Sequence, residues 1–104
     1  MKATIFHLRD EFLPPRRTTK ESGFAVLDKY SMIGSVEYPV KSVSNFLEMA
    51  FELTNSIEIH WSNNKGVTCP YNNKRSTSVG DIFYIEEEGY FRVDSIGFSK
   101  VEMV

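Results

Sequence analysis

The chain carries a single cysteine, Cys69, in 104 residues. No internal disulfide can form, so the fold must be held by its own core, and a lone thiol suits a reducing compartment. Charge of one sign is also lacking: 12 basic and 14 acidic residues leave a formal net charge of −2. Such a balance gives no global field to draw the protein onto nucleic acid or an anionic membrane. No apolar run approaches the ~20 residues that span a bilayer, and the N-terminus MKATIFHLRD meets charge too soon for a secretory signal. A soluble, cytoplasmic protein is expected. The soft ligands His7, His60 and Cys69 are not paired at metal-binding spacing. Nothing in the sequence marks Cys69 as an activated nucleophile. We therefore expect no metal, no cofactor and no enzymatic activity.

What is present is aromatic surface. Eight Phe and five Tyr in a chain that is 41% hydrophobic favour strands and a core of large side chains. The length suits one domain, 1–104, with a single core. Residues 2–8 alternate Ala3, Ile5 and His7 against Thr4, Phe6 and Leu8, as a strand between two layers does. Pro14-Pro15 ends it, and 16–23 reads as a surface loop. Residues 24–30 fit either a helical turn or a strand. Met32 to Val40 reads as a strand closed by Tyr38-Pro39.

Val43, Phe46, Leu47, Ala50 and Phe51 form one apolar stripe at helical spacing. The pattern predicts a helix from about 42–45 to Thr54, with Asn45 and Glu48 as a capping-box variant and Asn55 at the stop. Ile57 to Trp61 alternates as a short strand, and 62–75 is a polar loop. Ile82 to Glu86 and Tyr90 to Asp94 flank Glu87-Glu88-Gly89 and predict a hairpin with a glycine in the left-handed position. Phe98 to Met103 predicts an edge strand. The order indicates an α+β fold: a mostly antiparallel sheet, one main amphipathic helix and a C-terminal hairpin unit.

Two surfaces stand out. Glu86, Glu87 and Glu88 place three carboxylates at the hairpin tip. Adjacent residues there splay into water instead of converging as an acid–base pair, but they suit a basic partner surface. Between 60 and 75, His60, Trp61, Lys65, Tyr71, Lys74 and Arg75 interleave rings with positive charge, the composition that stacks bases and contacts phosphates. Gly80-Asp81 before a strand has a local explanation, with glycine allowing positive φ and Asp81 capping the turn.

Arg75-Ser76-Thr77-Ser78-Val79-Gly80-Asp81 and Val93-Asp94-Ser95-Ile96-Gly97-Phe98 resemble the recurring stretches of the YodL-like domain family. Tyr30-Ser31-Met32-Ile33 and the stretch from Ser42 to Glu52 look like that family's tyrosine-led strand and following helix. The family occurs in small bacterial proteins and in polyvalent proteins of phages and conjugative elements. The resemblance implies a mobile-element context and carries no enzymatic activity with it. The resulting expectation is a small, non-enzymatic phage or mobile-element accessory protein in the host cytoplasm. It would bind a host protein through Glu86, Glu87, Glu88, Trp61 and Tyr71, for instance to inhibit a defence or nucleic-acid-handling system. The alternative is an RNA- or DNA-binding module using His60, Trp61, Lys65, Tyr71, Lys74 and Arg75.

Overall fold

A computed structural model describes residues 1–12, 23–55, 61–71 and 74–104, the side chain of Ser62 excepted. Among these, seven strands form one mixed sheet with a single helix against it. The strands are β1 (Lys2–Leu8), β2 (Phe24–Ala25), β3 (Tyr30–Glu37), β4 (Val67–Thr68), β5 (Ile82–Ile85), β6 (Gly89–Val93) and β7 (Phe98–Met103). The helix, α1, is Val43–Thr54. Sheet order is β2-β7-β6-β5-β1-β3-β4, every pairing antiparallel except β2 with β7. The α+β expectation is met.

The N-terminal strand lies inside the sheet, between β3 and β5. Its alternation is the expected one: Ala3, Ile5 and His7 are buried, while Thr4, Phe6 and Leu8 are half-buried. Ala3 and Ile5 pack with Phe46, Leu47 and Ala50 of α1 and with Trp61, Phe83 and Ile85 in the main core. On the other face Ile82, Val101 and Ala25 pack with Phe6, Tyr30 and Tyr90. A sheet covered on both sides at its centre needs apolar residues at consecutive positions, and β5 supplies them in Ile82 and Phe83, both fully buried.

α1 starts within the expected range, but its cap lies three residues before the expected Asn45. Ser42, not Asn45, is the N-cap, and its hydroxyl accepts from the Asn45 N–H at 3.4 Å. A short oxygen-bearing side chain in extended backbone just before the stripe satisfies one orphan donor of the first turn. Asn55 stands at the C-cap as expected. The last carbonyls are taken by side chains and backbone from further along: Asn64 Nδ2 donates to Leu53 O at 2.6 Å and the Thr77 N–H to Thr54 O at 2.9 Å.

Several local expectations change. Residues 24–30 become β2 followed by a 3₁₀ turn at Leu27–Lys29. β7 is not the edge strand, because β2 lies outside it and the Glu102 N–H donates to Gly23 O. Trp61 opens a 3₁₀ turn, Trp61–Asn63, instead of ending a strand; residues 57–60 lie outside the described residues. The 62–75 loop holds β4, which pairs Ser35 with Thr68 and Val36 with Val67. At the hairpin tip the Glu88 N–H donates to Ile85 O, and both Glu87 (φ 70°) and Gly89 (φ 115°) adopt positive φ.

β4 rides close over β3 at Gly34, where a Cβ would lie 2.2 Å from Thr68 O. Backbone, unlike a flexible side-chain end, cannot yield cheaply. Gly34→Ala is expected to cost about 1–3 kcal/mol by forcing β4 off β3. Urea unfolding would show it as a lower midpoint, whereas Gly23→Ala, where nothing lies within 4 Å, should move the midpoint far less.

Candidate functional site

At the end of β1 the backbone runs past a buried carboxylate. Asp81 is fully buried and accepts four hydrogen bonds. Two come from Arg75 (Nη1 to Oδ2 at 2.6 Å, Nη2 to Oδ1 at 2.7 Å), one from the Leu8 N–H at 2.8 Å and one from the Ser78 N–H at 2.8 Å. A buried charge is tolerable only when paired and fully hydrogen-bonded, and here both oxygens are. Arg75 reaches further, donating to Leu8 O at 2.8 Å, Ser76 O at 3.1 Å and Ser78 Oγ at 3.2 Å. The hydrogen bond to Asp81 is the chief influence holding the guanidinium above its already high range, with burial opposing.

Beside this pair sits His7, 5% exposed. Its Nε2 is 3.0 Å from Thr77 Oγ1 and 3.8 Å from Asp81 Oδ2, and its ring lies 5.9 Å from that of Trp61. Burial holds its pKa down at about 4, Arg75 and Lys74 push the same way, and Asp81 opposes them. The imidazole is therefore neutral at pH 7. Above it opens a cleft of about 660 Å³ lined by His7, Arg9, Asp10, Glu11, Lys74 and Arg75, among others. The Arg9 guanidinium is occupied at the rim, donating to Asp28 O and lying 3.3 Å from Glu11 and over the Phe12 ring.

The residues singled out from the sequence are dispersed. Trp61 is 1% exposed, and its indole N–H donates to Arg75 O at 2.9 Å. This corrects its reading as a surface anchor or stacking platform: burial in the main core and a satisfied N–H make it a core residue. Both Nη groups of Arg75 are likewise taken up, by Asp81 and by Leu8 O, which leaves Nε alone on the cleft side. Tyr71 is 46% exposed, with the Lys74 ammonium 5.0 Å from its ring centroid. Tyr71 and Met32 flank a shallow groove of about 290 Å³ on β1 and β3. Lys65 is exposed, and His60 lies outside the described residues. Glu86, Glu87 and Glu88 are all exposed.

The acidic tip and the cleft lie at opposite ends of β5, since Ala3 pairs with Ile85 beside the tip and Phe6 with Ile82 beside Asp81. A second buried polar group closes the β6–β7 connection: Arg92 Nε donates to Asp94 Oδ1 at 3.0 Å, and Ser99 Oγ donates to the other oxygen. Among the described residues no cluster of His, Cys, Asp and Glu could hold a metal ion, and no helix is long and apolar enough to cross a membrane. Comparison with family models, curated proteins and solved structures finds no match.

Sequence reasoning missed the Asp81 clasp and the His7 cleft. One signal was readable: His7 shares the face of Ala3 and Ile5, and a histidine on the buried face of a strand must find a polar partner.

Two outcomes follow from the charges. Arg75→Met strands the Asp81 carboxylate in the interior and should cost about 3–5 kcal/mol, read as a fall in urea midpoint at pH 7. Because the folded state holds His7 neutral while the unfolded chain protonates near pH 6.5, the stability it brings is complete above about pH 6.5. It drains away as the pH falls toward 4. With each unit of pKa worth about 1.4 kcal/mol, the loss across that window is about 3 kcal/mol. The wild-type minus His7→Gln difference in unfolding free energy, followed from pH 7.5 to 4, should shrink accordingly; a constant difference would contradict it.

Proposed function

We propose that the protein is a small, non-enzymatic binding protein that docks on a basic surface of another protein through the tip of the β5–β6 hairpin. The observation that carries this reading is the conformation of Glu87. It is the one non-glycine residue among those described with positive φ, at 70°, between two further exposed glutamates. A left-handed backbone costs a side-chain-bearing residue about 1 kcal/mol relative to glycine. Three like charges side by side add repulsion that an isolated tip does not need. Both costs make sense where the carboxylates meet cations.

The resemblance of the 75–81 and 93–98 stretches to the YodL-like family supports the narrower reading of a phage or mobile-element accessory protein acting on a host protein in the cytoplasm. Inhibition of a defence or nucleic-acid-handling factor would follow if the basic surface so covered is one that normally contacts nucleic acid. Nucleic-acid binding by the chain itself is less well supported, because Trp61 is buried in the core and both Nη groups of Arg75 are held by Asp81 and Leu8 O.

The test pairs folding with binding. Glu87→Gly should raise the urea midpoint by the equivalent of about 0.5–1 kcal/mol and weaken partner capture. A protein retained from bacterial lysate by the wild type should be lost by the Glu87→Lys, Glu88→Lys variant. If the wild type holds nothing that this folded variant loses, the tip is not the binding surface. Retention of labelled single-stranded RNA at low salt, abolished by Lys65→Ala with Lys74→Ala, would favour the nucleic-acid reading instead.

A further inference from the structure

The cleft at the far end of β5 plays no part in that reading, and its floor has an unusual donor. Thr77 is fully buried, and the partner of its hydroxyl is His7 Nε2 at 3.0 Å. If the hydroxyl accepted from Nε2–H, its own hydrogen would be buried with no acceptor, which costs about 1–3 kcal/mol. The economical arrangement has Thr77 donating to Nε2, which leaves the proton of the neutral ring on Nδ1. This tautomer is assigned from the network.

Nδ1 makes no hydrogen bond to the described residues, yet none of their buried side-chain nitrogens or oxygens lacks a partner. It is therefore open to solvent, and the space that His7 borders is the cleft of about 660 Å³. Two further donors line the same wall. Arg75 Nε forms an ion pair with Asp10 Oδ1 at 3.9 Å, beyond hydrogen-bond reach, and the Asp10 side chain is 93% exposed. Lys74 also lines the cleft, with its ammonium 5.0 Å from the Tyr71 ring centroid. The volume falls in the range of small-ligand sites.

We propose that this cleft is a binding site for a small oxyanion-bearing ligand, a carboxylate or phosphate, held by His7 Nδ1–H, Arg75 Nε–H and the Lys74 ammonium. The acidic residues Asp10 and Glu11 at the rim argue for a ligand that enters one anionic group deep and keeps the remainder polar or cationic near the mouth. A rigid, neutral imidazole donor keeps its proton through the physiological range, so binding does not require it to charge.

The experiment is histidine ¹⁵N NMR on the full chain, titrated in turn with inorganic phosphate, succinate and, as the ionic-strength control, sodium chloride. The free protein should show a proton-bearing Nδ1 and a bare Nε2 on His7. Phosphate or succinate should shift Nδ1 saturably, and whichever saturates at the lower concentration identifies the source of the oxyanion. Lys74→Ala, a half-buried position outside the clasp, should keep the fold and raise the dissociation constant about tenfold, the worth of one charge-assisted hydrogen bond. A proton on Nε2, a response no different from that to chloride, or an unchanged affinity in Lys74→Ala would each overturn the proposal. None of these outcomes depends on the hairpin tip, so the two readings stand or fall separately.

Discussion

The carboxylate of Asp81 is the point on which the rest of the structure turns. It binds the start of β5, the end of β1 and the extended segment 75–78 through four hydrogen bonds made in the interior. A buried ion pair is a weak source of net stability, because desolvation offsets most of the attraction. What it supplies here is register. The Leu8 N–H meets Asp81 only when Phe6 lies opposite Ile82. A slip of one residue would turn His7 and Ile5 out of the core and take the Leu8 N–H away from the carboxylate. With no disulfide to impose alignment, a satisfied charge in the middle of the sheet is an economical substitute.

The same segment completes the helix. Thr77 gives its N–H to Thr54 O and receives the Asn55 side chain on its carbonyl at 2.6 Å, while Trp61 donates to Arg75 O. Orphan carbonyls at a helix C-terminus must be satisfied by something. In this chain Leu53 O is met by Asn64 and Thr54 O by the polypeptide that carries Arg75. Helix end, central strand and C-terminal hairpin are thus joined through one short stretch, 74–81. The His7 ring is held between that stretch and Trp61, which is why a histidine can sit there uncharged.

The regular parts of this fold were readable from periodicity: β1 with its two faces, β3, α1, the β5–β6 hairpin and β7 all carry enough residues to show a period. The rest was hidden for physical reasons. β2 and β4 have two residues each, too few for alternation to register. Trp61 stands next to a run of polar residues, so its burial depends on a contact with α1 and β1 that no local pattern announces. Arg75 and Asp81 are six apart in a stretch of Ser, Thr and Gly that looks like a solvated turn. Gly80 and Asp81 were expected to shape that turn, and they do: Gly80 has φ 97° and Asp81 accepts from Ser78. The additional reach of Asp81 to Leu8 spans 73 positions. Of the candidate site, Lys74 and Arg75 were named for a different purpose, and His7 was placed on one face of the first strand and set aside as a metal ligand.

The two C-terminal stretches of the family resemblance have structural tasks. The first is the Arg75–Asp81 clasp; the second is the β6–β7 turn, closed by Asp94 N–H to Gly97 O and by the Arg92–Asp94–Ser99 contacts. A likeness carried by such residues speaks to how the chain folds, and two proteins sharing it can differ wholly in what they bind. Function in this architecture is then expected where folding leaves residues uncommitted. The hairpin tip meets that criterion, with three exposed carboxylates and a backbone conformation that folding alone would assign to glycine. So does the open nitrogen of His7, fixed by the clasp but not used by it. The two proposed sites lie at opposite ends of β5. Geometry at either end can therefore be held while the surface chemistry at the other changes.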